Sequence, residues 1–198
     1  EIEVCDWSSD VCSSDLSDAA KKAADDAAAK AEEAAESASE AAQKAIEAKT
    51  AADNAATAAK NAQDDADEAN SMLSDIANDN KLTAQEKQQT KKEWDVIVSE
   101  KPKNDASADK FGVSKTAYGS AYTALSTYIT PLLSDLSSTS NITGTEFRAK
   151  FKAYYDARTD LLNAISAKAK ELADNAQEAA DEIGRASCRE RVLWGGGW

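Results

Sequence analysis

The 198-residue sequence contains no histidine and only seven glycines and two prolines. Without histidine, the chain lacks the side chain that most often performs acid–base catalysis near neutral pH, and also the commonest metal ligand in proteins. It has no glycine-rich phosphate loop, activated-serine elbow or zinc-ligand spacing. Carboxylates are abundant, but no pair stands out as suited to glycoside hydrolysis. We therefore predict that the chain is not an enzyme, and we expect no catalytic residue, no cofactor and no metal ligand.

Basic clusters and long apolar runs are also absent. The formal net charge is −13, and contacts to nucleic-acid phosphates need lysine and arginine gathered on one face. No apolar run reaches the roughly 20 residues that a membrane-spanning helix requires, and no signal peptide is recognisable. We predict neither a nucleic-acid partner nor insertion into a membrane.

The three cysteines, Cys5, Cys12 and Cys188, all lie near the ends of the chain. Residues 5–16 and 182–192 match translations of two short-read sequencing adapters, and the glycine-rich run at 194–198 matches the poly-G that such reads acquire. We interpret residues 1–16 and 182–198 as adapter-derived artefacts and predict that the first of them is unstructured. On this interpretation the cysteines carry no disulfide or metal argument.

The dominant pattern is a series of apolar residues that recur at alternating steps of four and three. Its members are Ala20, Ala24, Ala27, Ala31, Ala34, Ala38, Ala41, Ala45, Ala48, Ala52, Ala55, Ala59, Ala62, Ala66, Ala69, Leu73 and Ile76. An average period of 3.5 residues is typical of a left-handed coiled coil, and no glycine or proline occurs between Ser17 and Pro102. We predict an alanine-rich coiled-coil shaft over residues 17–79, with Ala20 and Ile76 about 85 Å apart.

An alanine seam needs close helix contact, because each methyl group contributes only about 0.8 kcal/mol on burial. Further alanines at Ala28, Ala35, Ala42 and Ala56 widen the stripe, which favours more than two strands. We predict a homo-oligomer, a trimer or a dimer, in which a single copy leaves the stripe exposed. Two alternatives stay open: a helix that folds back on another segment of its own chain, and a solvated low-complexity helix. The acidic run at residues 64–68 is interpreted as a solvated face.

The segment that follows the shaft has two interpretations. Residues 75–86 have the length of an EF-hand loop, with Asp75, Asp79 and Glu86 at ligand positions. However, Ala77 removes one ligand and Asn80 replaces the turning glycine. We favour the simpler interpretation, in which residues 78–80 end one helix and Thr83 caps the next, with Glu86 as its capping-box partner. Calcium binding by the loop stays an open alternative.

A helical bundle is predicted over residues 80–165, since every aromatic residue of 17–181 lies between Trp94 and Tyr155. A first helix from Ala84 to about Glu100 should bury Trp94, Ile97 and Val98, and Pro102 should interrupt or end it, with helix again at about 106–111. A second begins near Ser114, and Pro131 should kink or restart it; its inner face is Tyr118, Tyr122, Leu125, Ile129 and Leu132.

A third helix should start at Thr143, with Glu146 in a second capping box. Its inner face is Phe147, Phe151, Tyr154, Leu161, Leu162 and Ile165. The helical spacing of the tyrosines favours core packing, with phenol groups that reach solvent, over a stacking platform for sugars or bases.

The seam resumes at the end of this helix, at Leu162, Ile165, Ala169, Leu172, Ala176 and Ala179. Residues 166–181 are therefore predicted to start a second coiled coil, continuous with the last bundle helix. The fold class is all-α: a long alanine-rich coiled-coil helix, a small three- to four-helix bundle and the start of a second coil.

Several segments of this sequence resemble proteins of bacteriophage tails. They are residues 73–87, Lys91-Lys92-Glu93-Trp94, Ala121-Tyr122-Thr123-Ala124-Leu125, residues 130–136 and Phe151-Lys152-Ala153-Tyr154-Tyr155. Together they are similar to the helical module of phage or prophage host-specificity, tail-tip and tail-fibre proteins, over about residues 73–170. The pattern consists of helix caps and aromatic residues, and no binding residues are carried over from it.

The resemblance implies a structural fragment of a phage tail, located in the virion, that spaces and presents host-recognition domains. Its partners would be other tail proteins and, through domains outside this fragment, the host cell surface. The alternative is the stalk of a bacterial surface or secreted adhesin with a ligand-binding bundle. Fold-level analogy alone does not decide between these two functions.

Overall fold

A computed structural model describes residues 10–195. Within this range there are four helices: α1 (Asp10–Asp75), α2 (Ala84–Phe111), α3 (Thr116–Leu132) and α4 (Gly144–Gly195). Two short strands, β1 (Lys81–Leu82) and β2 (Ser140–Asn141), pair in antiparallel register, with Lys81 opposite Asn141. The predicted all-α class is confirmed. No helix in residues 10–195 combines the length and the apolarity needed to cross a bilayer.

Both long helices run further than the sequence predicted. α1 begins at Asp10, so residues 10–16 are helical and not unstructured, and α4 continues from Gly144 through Gly184 to Gly195. A lone glycine costs a helix interior about 1 kcal/mol, which neighbouring residues can offset. The rest of the two predicted adapter-derived ends, residues 1–9 and 196–198, lies outside the described residues. The adapter origin stays a prediction.

The chain divides into two compact units, which are described separately. Among the described residues, the first comprises 10–46 and 175–195. In it Ala45 is buried, whereas Ala20, Ala24 and Ala31 are exposed. The second is Glu47–Asp174. The later part of the predicted shaft thus shares a unit with the bundle, and the predicted boundary at residue 79 does not coincide with a boundary between units.

The core of the second unit joins α1 to the other three helices. From α1 and the residue after it the core takes Ala59, Ala62, Ala66, Ala69, Leu73 and Ile76. The fully buried aromatic side chains of the same core are Tyr118, Tyr154, Tyr155, Phe147 and Phe151. Over residues 59–76 the seam is therefore covered by the chain's own helices, and the expectation of a stripe exposed in a single copy is wrong there. Residues 59–76 therefore follow the fold-back alternative, in which the helix packs on another segment of its own chain. Small alanine side chains let the helix backbones approach closely there.

α1 and α4 run antiparallel within this unit. Arg148 donates to the carbonyl of Ile76 at 3.5 Å, and Arg158, further along α4, bonds to Asp65, which is further back along α1. Because a 3.5-residue period fixes only which face is apolar, it does not specify whether the covering helix belongs to the same chain or to another copy.

The turn between α1 and α2 confirms the predicted cap at Thr83, whereas α1 ends at Asp75, before the predicted residues 78–80. Thr83 accepts from the backbone N–H of Glu86 at 3.3 Å, and the Glu86 carboxylate accepts from the backbone N–H of Thr83 at 2.8 Å, which completes the capping box. Asn80 is left-handed (φ 59°), as its type allows, but so is Ala77 (φ 60°), which the sequence did not indicate. α4 begins directly after Thr143, as predicted.

The helix that contains Pro102 is continuous. α2 runs through Pro102 and ends at Phe111, and Gly112 caps it in the left-handed conformation (φ 65°). Side chains beside the proline hold this turn: the Lys101 ammonium lies 5.2 Å from the Tyr118 ring centroid, and the Asn104 amide donates to the Tyr118 hydroxyl at 3.1 Å. Such contacts can offset the roughly 3 kcal/mol that an interior proline costs.

The predicted inner faces are largely confirmed. Every predicted inner residue of α4 up to Ile165 is buried, as are Tyr118, Leu125 and Ile129 of α3, while Tyr122 and Leu132 are partly buried. Pro131 lies within the last turn of α3. One assignment is wrong: Val98 is exposed, because its side chain points away from the core that the neighbouring Ile97 enters. Leu172, which was assigned to the seam of the second coil, is exposed as well.

Candidate functional site

The interior of the second unit contains charged groups as well as hydrocarbon. Arg158, on α4, has a side chain only 7% exposed, and its Nη2 lies 3.2 Å from Asp65 Oδ2 on α1 and 3.1 Å from Glu100 Oε2 on α2. A guanidinium stays charged when buried and offers several donors in a fixed plane. One side chain therefore ties three helices together.

Carboxylates outnumber cations around this arginine. Burial raises the pKa of Glu100, Arg158 lowers it, and the neighbouring charges of Asp65 and Glu93 raise it again, so that the net shift is upward. The Arg158 Nε atom is buried without a hydrogen-bond partner. Both ion pairs of the cluster use Nη2, so two carboxylates share one guanidinium.

Three tyrosines extend this polar network through the core. The Tyr118 and Tyr154 hydroxyls lie 3.1 Å apart, and the Tyr155 hydroxyl donates to the Glu93 carboxylate. Burial raises the pKa of Tyr154 and of Tyr155 well above the usual range. These phenols point inward as neutral groups, so the expectation that they reach solvent is wrong: a partner inside the core satisfies each hydroxyl.

An aromatic cluster surrounds the network. The Trp94 and Tyr122 rings stack, with centroids 5.5 Å apart and planes at 22°, and the Phe147 and Phe151 centroids lie 5.0 Å apart. The predicted role of the tyrosines in core packing is confirmed. No ring face of this cluster is free to serve as the stacking platform that was the alternative, apart from the half-buried Tyr122.

Two buried cations were missed by the sequence reasoning, although a signal for them exists. Lys87 is fully buried, and its Nζ donates to the Asp135 carbonyl at 2.8 Å. Lys87 precedes Trp94 and Ile97 on the same helical face, and Arg158 continues the face of Phe151 and Tyr154. Helical spacing therefore placed both charges on inner faces.

The candidate calcium ligands are not brought together. The Glu86 carboxylate is engaged by the Thr83 and Ala77 N–H groups; burial raises its pKa, but these hydrogen bonds outweigh burial and lower the pKa overall. Asp79 accepts instead from the Lys81 N–H at 3.0 Å. Among the residues that the structure describes, no group of three or more histidine, cysteine, aspartate or glutamate side chains is placed to hold a metal ion.

The acidic run at 64–68 is a solvated face with one exception. Asp64 pairs with Lys60 at 2.7 Å, and Asp67 accepts from Gln63 at 3.1 Å, both on the surface of α1. Asp65 is instead the partner of the buried Arg158. One member of the run therefore has a structural function.

A groove with a volume of about 560 Å³ lies between the end of α1 and the start of α2. We call it the α1–α2 groove. Its lining consists of Met72, Leu73, Asp75 and Ile76, at and just after the end of α1, and of Glu86, Gln89, Thr90, Lys92, Glu93 and Val96 on α2. Its lining combines apolar side chains with four charged ones, those of Asp75, Glu86, Lys92 and Glu93. Neither the groove nor the polar network presents a nucleophile beside a base, so their chemistry suits packing and binding.

Comparison with known proteins finds one informative relative. Over 111 residues, which is 56% of this chain, the sequence is 48% identical to a protein named "Tail fiber protein" from Enterococcus phage phiEF24C. The chain spans only 6% of that protein's length. No protein-family model matches the sequence, and no solved structure matches it significantly. The relative supports the resemblance to phage tail proteins that caps and aromatic residues indicated.

Proposed function

We propose that this chain is a structural segment of a phage or prophage tail fibre or tail-tip protein of the host-specificity type. The observation that carries the proposal is the 48% identity to a phage tail fibre protein over more than half of the chain. The relative is many times longer, which is consistent with a segment that spaces and presents host-recognition domains located elsewhere in the same protein.

The second unit would serve as a rigid node in such a fibre. Arg158 links α4 to α1 and α2, and the tyrosine hydroxyls satisfy one another inside the core. Hydrogen bonds and ion pairs between buried side chains of different helices favour one arrangement of those helices. A mechanical role of this kind needs no catalytic group, which agrees with the absence of histidine.

The proposed location is the virion. The proposed partners are other tail proteins, further copies of the same chain through the uncovered part of the alanine seam, and the host surface through domains outside this fragment. The exposed positions Ala20, Ala24 and Ala31 support self-association, because they continue the buried seam without a change of period.

Immunogold electron microscopy tests this function. Antibodies raised against the chain would be applied to phage particles whose genome encodes the parent protein, with pre-immune serum as the control. We expect gold particles along the tail fibres or at the tail tip. Gold particles on the envelope of uninfected cells, together with unlabelled virions, would contradict the proposal and favour the adhesin stalk.

A further inference from the structure

The α1–α2 groove carries exposed apolar side chains on both walls. Met72 on α1 is 53% exposed and Val96 on α2 is 48% exposed, although both are large hydrophobic residues. Between them lie the buried side chains of Leu73 and Ile76. Exposed apolar surface rimmed by polar residues marks binding sites, and the flexible thioether of methionine adapts to the shape of a partner.

The floor of the groove contains a hydroxyl group without a partner. Thr90 is only 1% exposed, yet its Oγ1 atom makes no hydrogen bond. An unpaired buried hydroxyl is unfavourable, and native structures rarely leave one so. Thr90 belongs to the lining, so a donor that enters the groove would satisfy this enclosed oxygen once the side chains over it move aside.

The charges of the lining favour a cation. Glu86 is held by its bonds to Thr83, and Glu93 is held by the Tyr155 hydroxyl, so both carboxylates are fixed in place before anything binds. Asp75 adds a third negative charge at the C-terminal end of α1, where the helix dipole is also negative. Lys92 is the one cation of the described lining.

We propose that the α1–α2 groove binds a basic amphipathic helix of a partner protein. Leucine-like side chains of that helix would lie between Met72 and Val96. The stem of a lysine or arginine would cross Leu73, with its cationic head near Thr90 and Glu93. From Glu86 to Val96, α2 is about 15 Å long, which matches about three turns with anchors at i, i+3, i+4 and i+7.

A helix fits this site better than a small molecule. Met72 and Val96 are half exposed on the two helices that line the groove, and a small ligand that covers one of them would leave the other in contact with water. The inference stands on the chemistry of the groove and does not depend on the proposed role in a phage tail.

Fluorescence anisotropy with the full chain and a labelled peptide tests the proposal. The probe is a peptide of about 14 residues made of lysine, leucine and alanine, with leucines at helical spacing. Control peptides carry glutamate in place of lysine, or the same residues in scrambled order. We expect saturable binding of the lysine peptide alone.

Matched variants locate the binding. Val96→Ser should weaken binding about tenfold by removing apolar contact, whereas Val98→Ser, at a valine 42% exposed on the same helix but outside the groove, should leave it unchanged. Thr90→Val should weaken binding about threefold, with the helical circular dichroism retained.

Three outcomes would overturn the proposal. Equal binding of the ordered and scrambled lysine peptides would show attraction by net charge alone. Equal effects of Val96→Ser and Val98→Ser would place the peptide elsewhere. Self-association of the chain that Val96→Ser abolishes would show that a second copy fills the groove.

Discussion

Arg158 is the residue on which the arrangement of helices in the second unit depends. Its Nη2 serves both Asp65 on α1 and Glu100 on α2, and its side chain is almost fully buried. The Asp65 side chain is largely exposed, so water can solvate its charge when the arginine is removed. The Glu100 side chain is mostly enclosed. Loss of the guanidinium would therefore leave one buried carboxylate without its cation.

We expect Arg158→Ala to lower the free energy of unfolding by about 3 kcal/mol, because it leaves Glu100 unpaired and opens a cavity. Urea denaturation with linear extrapolation measures the change. Lys152→Ala, which breaks the exposed pair with Asp156, is the control and should cost at most about 0.5 kcal/mol. Equal losses in both variants would show that the buried triad has no special role.

Glu100 predicts a dependence of stability on pH. Its pKa is raised by burial against the opposing effect of Arg158, with Asp65 on α1 and with Glu93 and Lys103 on α2 as the other charges that act on it. A raised carboxyl pKa means that the folded state holds the proton more tightly than the unfolded state. The contribution of Glu100 to stability is thus fully present below the unfolded pKa and is lost as pH rises through the folded pKa.

We expect the wild type to lose stability relative to Glu100→Gln as the pH is raised from about 4 to 7. Urea denaturation at several pH values gives the difference between the two proteins. Glu171→Gln, at the exposed pair with Lys168, should run parallel to the wild type. A difference between wild type and Glu100→Gln that stays constant with pH would refute the assignment.

At the scale of elements, the junction between α1, β1 and α4 depends on one close approach. A Cβ atom on Gly144 would lie 2.1 Å from the Ala77 carbonyl oxygen, which belongs to backbone and cannot move aside easily. The Gly144 N–H also donates to Asn80 Oδ1 at 3.0 Å, so the first turn of α4 is anchored to the turn after α1. Only glycine permits this contact.

We expect Gly144→Ala to destabilise the chain by about 3 kcal/mol or more, because the methyl group must displace the turn. Gly119→Ala is the matched control: it lies inside α3, where an added Cβ meets nothing within 4 Å. That change should stabilise by about 0.5–1 kcal/mol through helix propensity. Thermal unfolding followed by circular dichroism compares the two variants, and similar melting temperatures would contradict the described junction.

At the scale of the whole molecule, the alanine seam is divided between covered and uncovered positions. Positions from Ala59 to Ile76 are buried by the chain's own helices, whereas Ala20, Ala24 and Ala31 are exposed. The predicted trimer or dimer therefore has only the uncovered positions available for contact with another copy. The same 3.5-residue period therefore supports packing within the chain at one end of the seam and is predicted to support packing against another copy at the other end.

We expect Ala24→Glu combined with Ala31→Glu to shift the chain from oligomer to monomer in sedimentation equilibrium, with the helical circular dichroism retained. Ala62→Glu should instead destabilise the chain by about 3 kcal/mol, because it places a charge at a buried site. A wild type that is monomeric at every concentration would contradict the predicted homo-oligomer.

The sequence alone determined the features that are local along the chain. Helix content, the capping box at Thr83 and the inner faces of α3 and α4 depend on residues three or four positions apart, and the structure confirms these predictions. Pro102 shows where local reasoning fails: tertiary contacts of Lys101 and Asn104 hold a turn that the residue type disfavours.

Only the tertiary structure decided what covers the seam and which charges enter the core. Asp65 and Arg158 are 93 residues apart in sequence, and Lys87 bonds to a carbonyl 48 residues away. Periodicity identifies an apolar face but not its partner, and it gives no sign that a carboxylate on one helix will meet a buried guanidinium on another. The apolar seam and the charged residues on inner helical faces can therefore be recognised in the sequence. The residues that they contact depend on how distant helices pack.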